Sequence, residues 1–288
     1  TDELARKAWA LFQDIEKQGG LAAALRAGTV QKLVAAAGAD KVDALDKRRA
    51  SLIGTNLFPN LKEKPLALRT LDASAVTARA NAIVARRSAA PAAVTGDWTT
   101  KFQAALAAAG KGATVGQLAA LAGDTTAEKI TPVAPVRIAT GFEALRQASD
   151  AYAKRTGSRP KVFLAKMGPV KQHKPRADFS AGFFGVAGFE SVAKQAFETA
   201  AEAAKAAVAS GASIAVLCST DDTYPELVPA FAAAIKQAKP DMTVVLAGLP
   251  ADKAVTEQFK TAGIDEFIHV RANVREMLAN LLKKIGAL

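Results

Sequence analysis

From Lys161 onward the chain alternates short apolar runs with helix-patterned stretches, and this alternation constrains its fold more than any other feature. Runs expected as strands cover 161–166, 189–193, 213–218, 242–247 and 266–270, and helical periods fill about 176–185, 196–210, 225–238 and 253–262 between them. Strands separated by single helices run parallel, because a parallel pair needs a crossover rather than a hairpin. The expectation is a five-stranded, doubly wound parallel sheet with helices on both faces, in flavodoxin-like order. A last helix carries Val274, Met277, Leu278, Leu281, Leu282 and Ile285 on one face, with Asn273 as cap and Glu276 as its capping-box partner. In such folds ligands bind at the C-terminal ends of the strands. Here that place begins with Met167-Gly168-Pro169 and continues as a basic loop carrying His173.

The first 123 residues read differently. Leu4, Ala8, Leu11, Phe12 and Ile15 fall on one helical face, with Thr1 or Asp2 as cap and Gly19-Gly20 as stop. Further helical stretches are expected at 21–37, interrupted by Gly28, and at 40–49, 72–87, 98–109 and 114–122, the last two as a hairpin around Gly110-Lys111-Gly112. Ser51 to Pro59 reads as one short strand stopped by proline, with loop to Pro65 and a small-residue connector over 88–96. Such helices cover a sheet, yet this region holds a single strand. An extended linker is expected over 124–140 and a helix over 142–154. The division predicted is 1–123, 124–160 and 161–288.

Composition narrows the function classes. The charge of +11, from 38 basic and 27 acidic residues, favours phosphates or an acidic partner. The basic residues are scattered apart from Lys47-Arg48-Arg49, Arg86-Arg87 and 166–176, without aromatic interleaving, so nucleic acid is not an expected partner. The cluster of Lys166, Lys171, Lys174 and Arg176 suits a phosphate, a solvated rim or an acidic partner. The single cysteine, Cys218, leaves no intrachain disulfide or thiolate zinc site and fits a reducing, cytoplasmic compartment. No run approaches a membrane span, and the first residues are not patterned as a secretion signal. Thr1 stands where an initiator Met would, as at the edge of a trimmed or processed chain.

Several stretches resemble the methylmalonyl-CoA mutase family of cobalamin-dependent acyl-CoA mutases. Ala8-Trp9-Ala10-Leu11-Phe12-Gln13, with Ile15-Glu16 and Gly19-Gly20, is similar to the family helix before its last barrel strand, and Ile53-Gly54-Thr55-Asn56 to that strand. Phe142-Glu143-Ala144-Leu145-Arg146 resembles the helix leading into the cobalamin-binding domain, and Ala165-Lys166-Met167-Gly168 the end of that domain's first strand. The resemblance implies that the early helices are the tail of an acyl-CoA-binding TIM barrel. It also implies a cobalamin loop of the form Asp-x-His-x-x-Gly, whose His binds cobalt and whose Asp orients that His.

Aligned from Lys166-Met167-Gly168, those three positions hold Val170, Gln172 and Pro175. The family's Ser-x-Leu corresponds to Cys218-Ser219-Thr220, and its Gly-Gly to Ala247-Gly248. This pattern resembles the small subunit of the heterodimeric bacterial mutases. The implied role is non-catalytic: no cofactor bound by this chain, adenosylcobalamin and the methylmalonyl-CoA/succinyl-CoA rearrangement in the large subunit, and the small subunit as its structural partner. The alternatives are a divergent cobalamin-binding module using His173, or base-on cobalamin, and a catalytic fragment whose barrel is supplied elsewhere. Beside these, His173 reads as a solvated loop histidine among lysines, Cys218 as a packed small hydrophobe, and Asp221-Asp222 as a solvated loop or helix cap rather than a metal site. Gly168 and Gly248 suit tight turns with or without a ligand. One Cys and two His, His269 without an obvious partner, build no catalytic triad. Exposed apolar surface is expected over 1–123, and with it self-association of the isolated chain.

Overall fold

The computed structural model describes residues 1–63, 66–67, 70–86, 94–121, 129–192 and 195–288. Its first six helices are α1 (Asp2–Lys17), α2 (Gly20–Arg26), α3 (Thr29–Asp46), α4 (Ala73–Ala85), α5 (Trp98–Gly110) and α6 (Val115–Leu121). Then come α7 (Thr140–Thr156), β1 (Lys161–Met167), α8 (Val170–Gly185), β2 (Glu190–Val192), β3 (Ala196–Phe197) and α9 (Ala200–Ala209). The chain ends with β4 (Ile214–Cys218), α10 (Tyr224–Ala238), β5 (Thr243–Ala247), α11 (Lys253–Thr261), β6 (Glu266–Ile268) and α12 (Val274–Lys284). Two compact units form, one of Thr1–Ala27 with Lys64–Pro132, the other of Gly28–Glu63 with Val133–Leu288. They cut the chain differently from the boundaries expected at 123 and 160, because 28–63 joins the sheet unit.

In the sheet unit the strands lie in the order β2-β1-β4-β5-β6, all parallel, with β3 also paired to β1. This is the expected flavodoxin-like order with one strand added at the edge. Burial on both faces explains the near-continuous apolar runs. Val162, Leu164, Ile214, Val216 and Val245 point into one core with α8 and α12, while Phe163, Ala165, Ala215, Leu217, Val244 and Leu246 point into the other with α9 and α10. Helix α9 starts at Ala200, because Ala196 and Phe197 are taken by the edge pairing and Thr199 caps the helix by accepting from Glu202 N–H. On α12 the expected cap holds: Asn273 Oδ1 accepts from Glu276 N–H at 3.2 Å, and the Asn273 amide in turn donates to the Glu276 carboxylate at 3.0 Å.

Segment 28–63 shows where local pattern was overruled. The stretches expected at 21–37 and 40–49 become α2 and one continuous α3, divided by Gly28 in the left-handed region with φ +75°. The expected strand over Ser51 to Pro59 is absent, and a lone bridge between Ile53 and Leu57 remains. No neighbouring strand saturates this backbone; the fully buried Asn56 side chain does so instead. Its amide donates to the carbonyls of Leu45 (2.9 Å) and Ala50 (2.8 Å), and its Oδ1 accepts from Leu52 N–H (2.8 Å). Arg48 reaches from there to the Gly182 carbonyl at the end of α8 (3.1 Å) and lies over the Phe183 ring. Burial lowers its guanidinium to about 10, still charged at neutral pH. Arg146 joins the carbonyls of Thr55 and Val186, and Asp46 pairs with Arg275 at 2.7 Å.

In the other unit, α1 packs with α2 and α5 with α6. Among its described residues the buried side chains are Ala24, Ala108 and Leu121. The apolar face expected of α1 forms but stays open: Leu4 is 73% and Trp9 60% exposed, and Trp9 stacks on Phe12 at 5.2 Å. Trp98, Phe102 and Leu106 of α5 are likewise exposed. Asp72 caps α4 and Asp97 caps α5. Among the described residues no helix is long and apolar enough to cross a membrane. Arg87, most of the 88–96 connector, Ala122, the start of the 124–140 linker and Ala193 lie outside the described residues.

Asn56→Ala strands two carbonyls and one N–H in a buried place, so a loss of about 3 kcal/mol is expected. Urea unfolding followed by circular dichroism checks this, and an unchanged midpoint would remove Asn56 from its organising role.

Candidate functional site

Strand β1 stops at Gly168, whose φ of +69° lies in the left-handed region open to glycine. Both backbone groups of this residue are held: its N–H donates to the Phe197 carbonyl at 2.9 Å, and its carbonyl accepts from His173 Nδ1 at 2.9 Å. The His173 proton therefore sits on Nδ1. Helix α8 begins two residues later, at Val170. The expected basic loop up to Arg176 is thus the first turns of a helix, and His173 is 5% exposed rather than solvated among lysines. A signal for this was available: His173, Ala177, Ser180 and Phe184 recur at helical spacing and are all buried. Pro175 removes one helical N–H, but it and Lys171, whose carbonyl loses that partner, both lie on the exposed side.

The positions corresponding to a cobalamin loop are therefore placed as follows. Val170 is exposed on the first turn. Gln172 folds back so that a Cβ on Gly168 would lie 2.3 Å from its Oε1. Pro175 stands on the outer face of α8. Cys218 is fully buried, and burial pushes its thiol up to about 12. Its Sγ lies 3.7 Å from Ser180 Oγ. Ser219 N–H donates to the Tyr224 hydroxyl at 3.2 Å, and that hydroxyl donates to the Ala247 carbonyl at 2.7 Å, tying the ends of β4 and β5 together. Burial also raises the Tyr224 phenol well above its ordinary value. Thr220 Oγ1 is buried without a hydrogen-bond partner. Over Gly248, with φ +149°, lies the ion pair of Arg176 with Asp221 at 2.9 Å; a Cβ there would meet Arg176 Nη1 at 2.9 Å.

These side chains occupy the crevice where the sheet would receive a ligand tail, and they do not fit cobalamin. His173 is buried, the tyrosine bridges the two strand ends, and an ion pair covers the remaining glycine. The basic cluster is broken up as well, with Lys174 on Asp178 and Arg176 on Asp221. Asp221 thus serves an ion pair, and α10 has no side-chain cap from either aspartate. Among the described residues no three His, Cys, Asp or Glu side chains come together as a metal site.

What the sequence reading missed lies one strand over. A cavity of about 360 Å³ is walled by Pro175, Arg176, Phe179, Leu249, His269, Val270 and Arg271. His269 Nδ1 accepts from Arg271 N–H at 3.2 Å, so its proton is on Nε2, and burial, with Arg271 nearby, holds its pKa below the ordinary value. The β6 end carried only a histidine without a partner in sequence, and the parallel order is what brings α8 alongside it.

The geometry defines a doubly wound, flavodoxin-like α/β unit whose crevice at the strand ends is filled by its own side chains. Residues 1–128 match the methylmalonyl-CoA mutase family profile. The chain is 32% identical to the methylmalonyl-CoA mutase small subunit of Streptomyces virginiae over 99% of its length, covering 36% of that protein. It is 29% identical to the small subunit of Porphyromonas gingivalis (99% of this chain, 37% of that one) and 26% identical to the large subunit of the same organism (86% and 38%). A solved cobalamin-binding protein from Desulfitobacterium hafniense aligns with 86% of this chain and 98% of its own at a TM-score of 0.38 and 14% identity, a likeness too low to carry an argument. The chain belongs to the methylmalonyl-CoA mutase family, and it spans about a third of the length of the relatives it matches.

Two outcomes are expected. Cys218 resists alkylation in the native protein at pH 8 and reacts fully in guanidinium, read by mass spectrometry; rapid native labelling would contradict the burial described. Gly168→Ala costs about 1–2 kcal/mol through its left-handed backbone. Adding Gln172→Ala relieves only the side-chain clash, so thermal melts of the single and double variants should both fall below the parent.

Proposed function

We propose that this chain is part of the non-catalytic small subunit of a heterodimeric methylmalonyl-CoA mutase. In this reading the large subunit binds adenosylcobalamin and interconverts methylmalonyl-CoA and succinyl-CoA, and the present chain is its structural partner. The observation that carries the reading is the crevice of the sheet unit. Its cobalamin-loop positions are wound into α8, the imidazole of His173 is buried at 5% exposure, and Tyr224 bridges β4 to β5. The similarity to proteins named small subunit over nearly the full chain supports it from a separate direction. So does the open apolar surface of α1 and α5, of the kind that further polypeptide covers, whether the rest of a barrel or a partner chain. By itself the isolated chain would self-associate through these faces.

Two measurements test the proposal. Titration with hydroxocobalamin or adenosylcobalamin should leave the visible spectrum without a histidine-ligated shift. A shift abolished by His173→Ala would overturn the reading in favour of a divergent cobalamin-binding module. Co-expressed with a mutase large subunit, the intact small subunit should co-purify with it in equal amounts, and a stable, partnerless protein would count against the structural role.

A further inference from the structure

The cavity at the ends of β5 and β6 adjoins the filled crevice at Pro175 and Arg176 but stays open, and nothing in the proposed function uses it. Its size falls within the range of small-molecule sites, and its wall has two characters. Phe179, Leu249 and Val270 give an apolar floor. Arg176, Arg271 and the Nε2–H of His269 give hydrogen-bond donors only. The charges around it do not balance: Asp221 answers Arg176, whereas Arg271 forms no ion pair among the described residues. Leu249 and Val270 are exposed apolar side chains beside these cations, 39% and 75% exposed respectively, so the cavity is open to a ligand. A wall with a planar, bidentate cation, a neutral donor and an apolar face matches an anionic head on a flat apolar body, and guanidinium forks match phosphate oxygens.

We propose that this cavity binds a phosphate monoester with a planar body, its phosphate held by Arg271 with Arg176 and His269, and its body lying against Phe179, Leu249 and Val270. The site is independent of the mutase reading and of any cobalamin. Adenosine monophosphate is the probe, titrated calorimetrically into the intact protein. Saturable binding below about 1 mM is expected, with adenosine and inorganic phosphate each at least about tenfold weaker. Arg271→Ala, at an exposed position, should weaken binding about tenfold, and Arg271→Lys should restore part of it. Lys205→Ala, at an exposed position of α9 on the other face of the sheet, should leave affinity unchanged. No saturable binding of adenosine monophosphate overturns the site. Equal losses from Arg271→Ala and Lys205→Ala overturn it too, since they would report only general attraction to a basic chain. Benzoate binding as tightly as adenosine monophosphate overturns the assignment to phosphate.

Discussion

The end of β1 is held by one residue, and the rest of the sheet's functional edge depends on it. Gly168 turns through a backbone region that other residues enter at a cost, and its two polar groups are satisfied in opposite directions, by the edge strand and by His173. Because the carbonyl is taken by an imidazole five residues ahead, the chain has to coil at once, and α8 starts at Val170. A helix that begins this early leaves no loop over the strand ends. The side chains that would have faced a ligand are then turned inward, as His173, or outward, as Val170 and Pro175.

Packing of the sheet follows from β1 in the same way. Its residues alternate between two cores, and each core is closed by its own set of helices, α3, α7, α8 and α12 on one face and α9, α10 and α11 on the other. The chain leaves β1 for β2 and β3 on one side, crosses back over β1 through α9 to β4 on the other, and then adds β5 and β6 outward, which gives the order β2-β1-β4-β5-β6. The C-terminal ends of β4 and β5 are thereby brought close enough for Tyr224 to join them through a single hydroxyl. A buried phenol with both a donor and an acceptor partner is stable where it stands, and that stability keeps the crevice shut.

The alternation of strand and helix after Lys161 was legible because a parallel strand buried on both faces has to be apolar throughout. The start of α8 was not, since Gly168-Pro169, Pro175 and four basic residues look locally like a loop, while the helical spacing from His173 to Phe184 becomes visible only when burial is known. Ser51 to Pro59 looked like a strand from its composition, but the Asn56 side chain satisfies backbone groups of residues 45–52, a local arrangement that strand composition does not signal. Nor could the sequence show that Arg48 belongs to a carbonyl 134 residues away. The departure of Val170, Gln172 and Pro175 from the family's loop pattern was legible position by position. That other groups occupy the crevice was not.

The two compact units interleave along the chain, which passes between them at Ala27, at Glu63 and again at Pro132. Synthesis proceeds from the N-terminus, so residues 28–63 emerge from the ribosome long before the sheet that gives Arg48 and Asp46 their partners. Arg48 gains its partners once α8 has been made, and Asp46 only once Arg275 has. Docking of that segment is therefore completed in two steps, separated by the synthesis of most of the sheet.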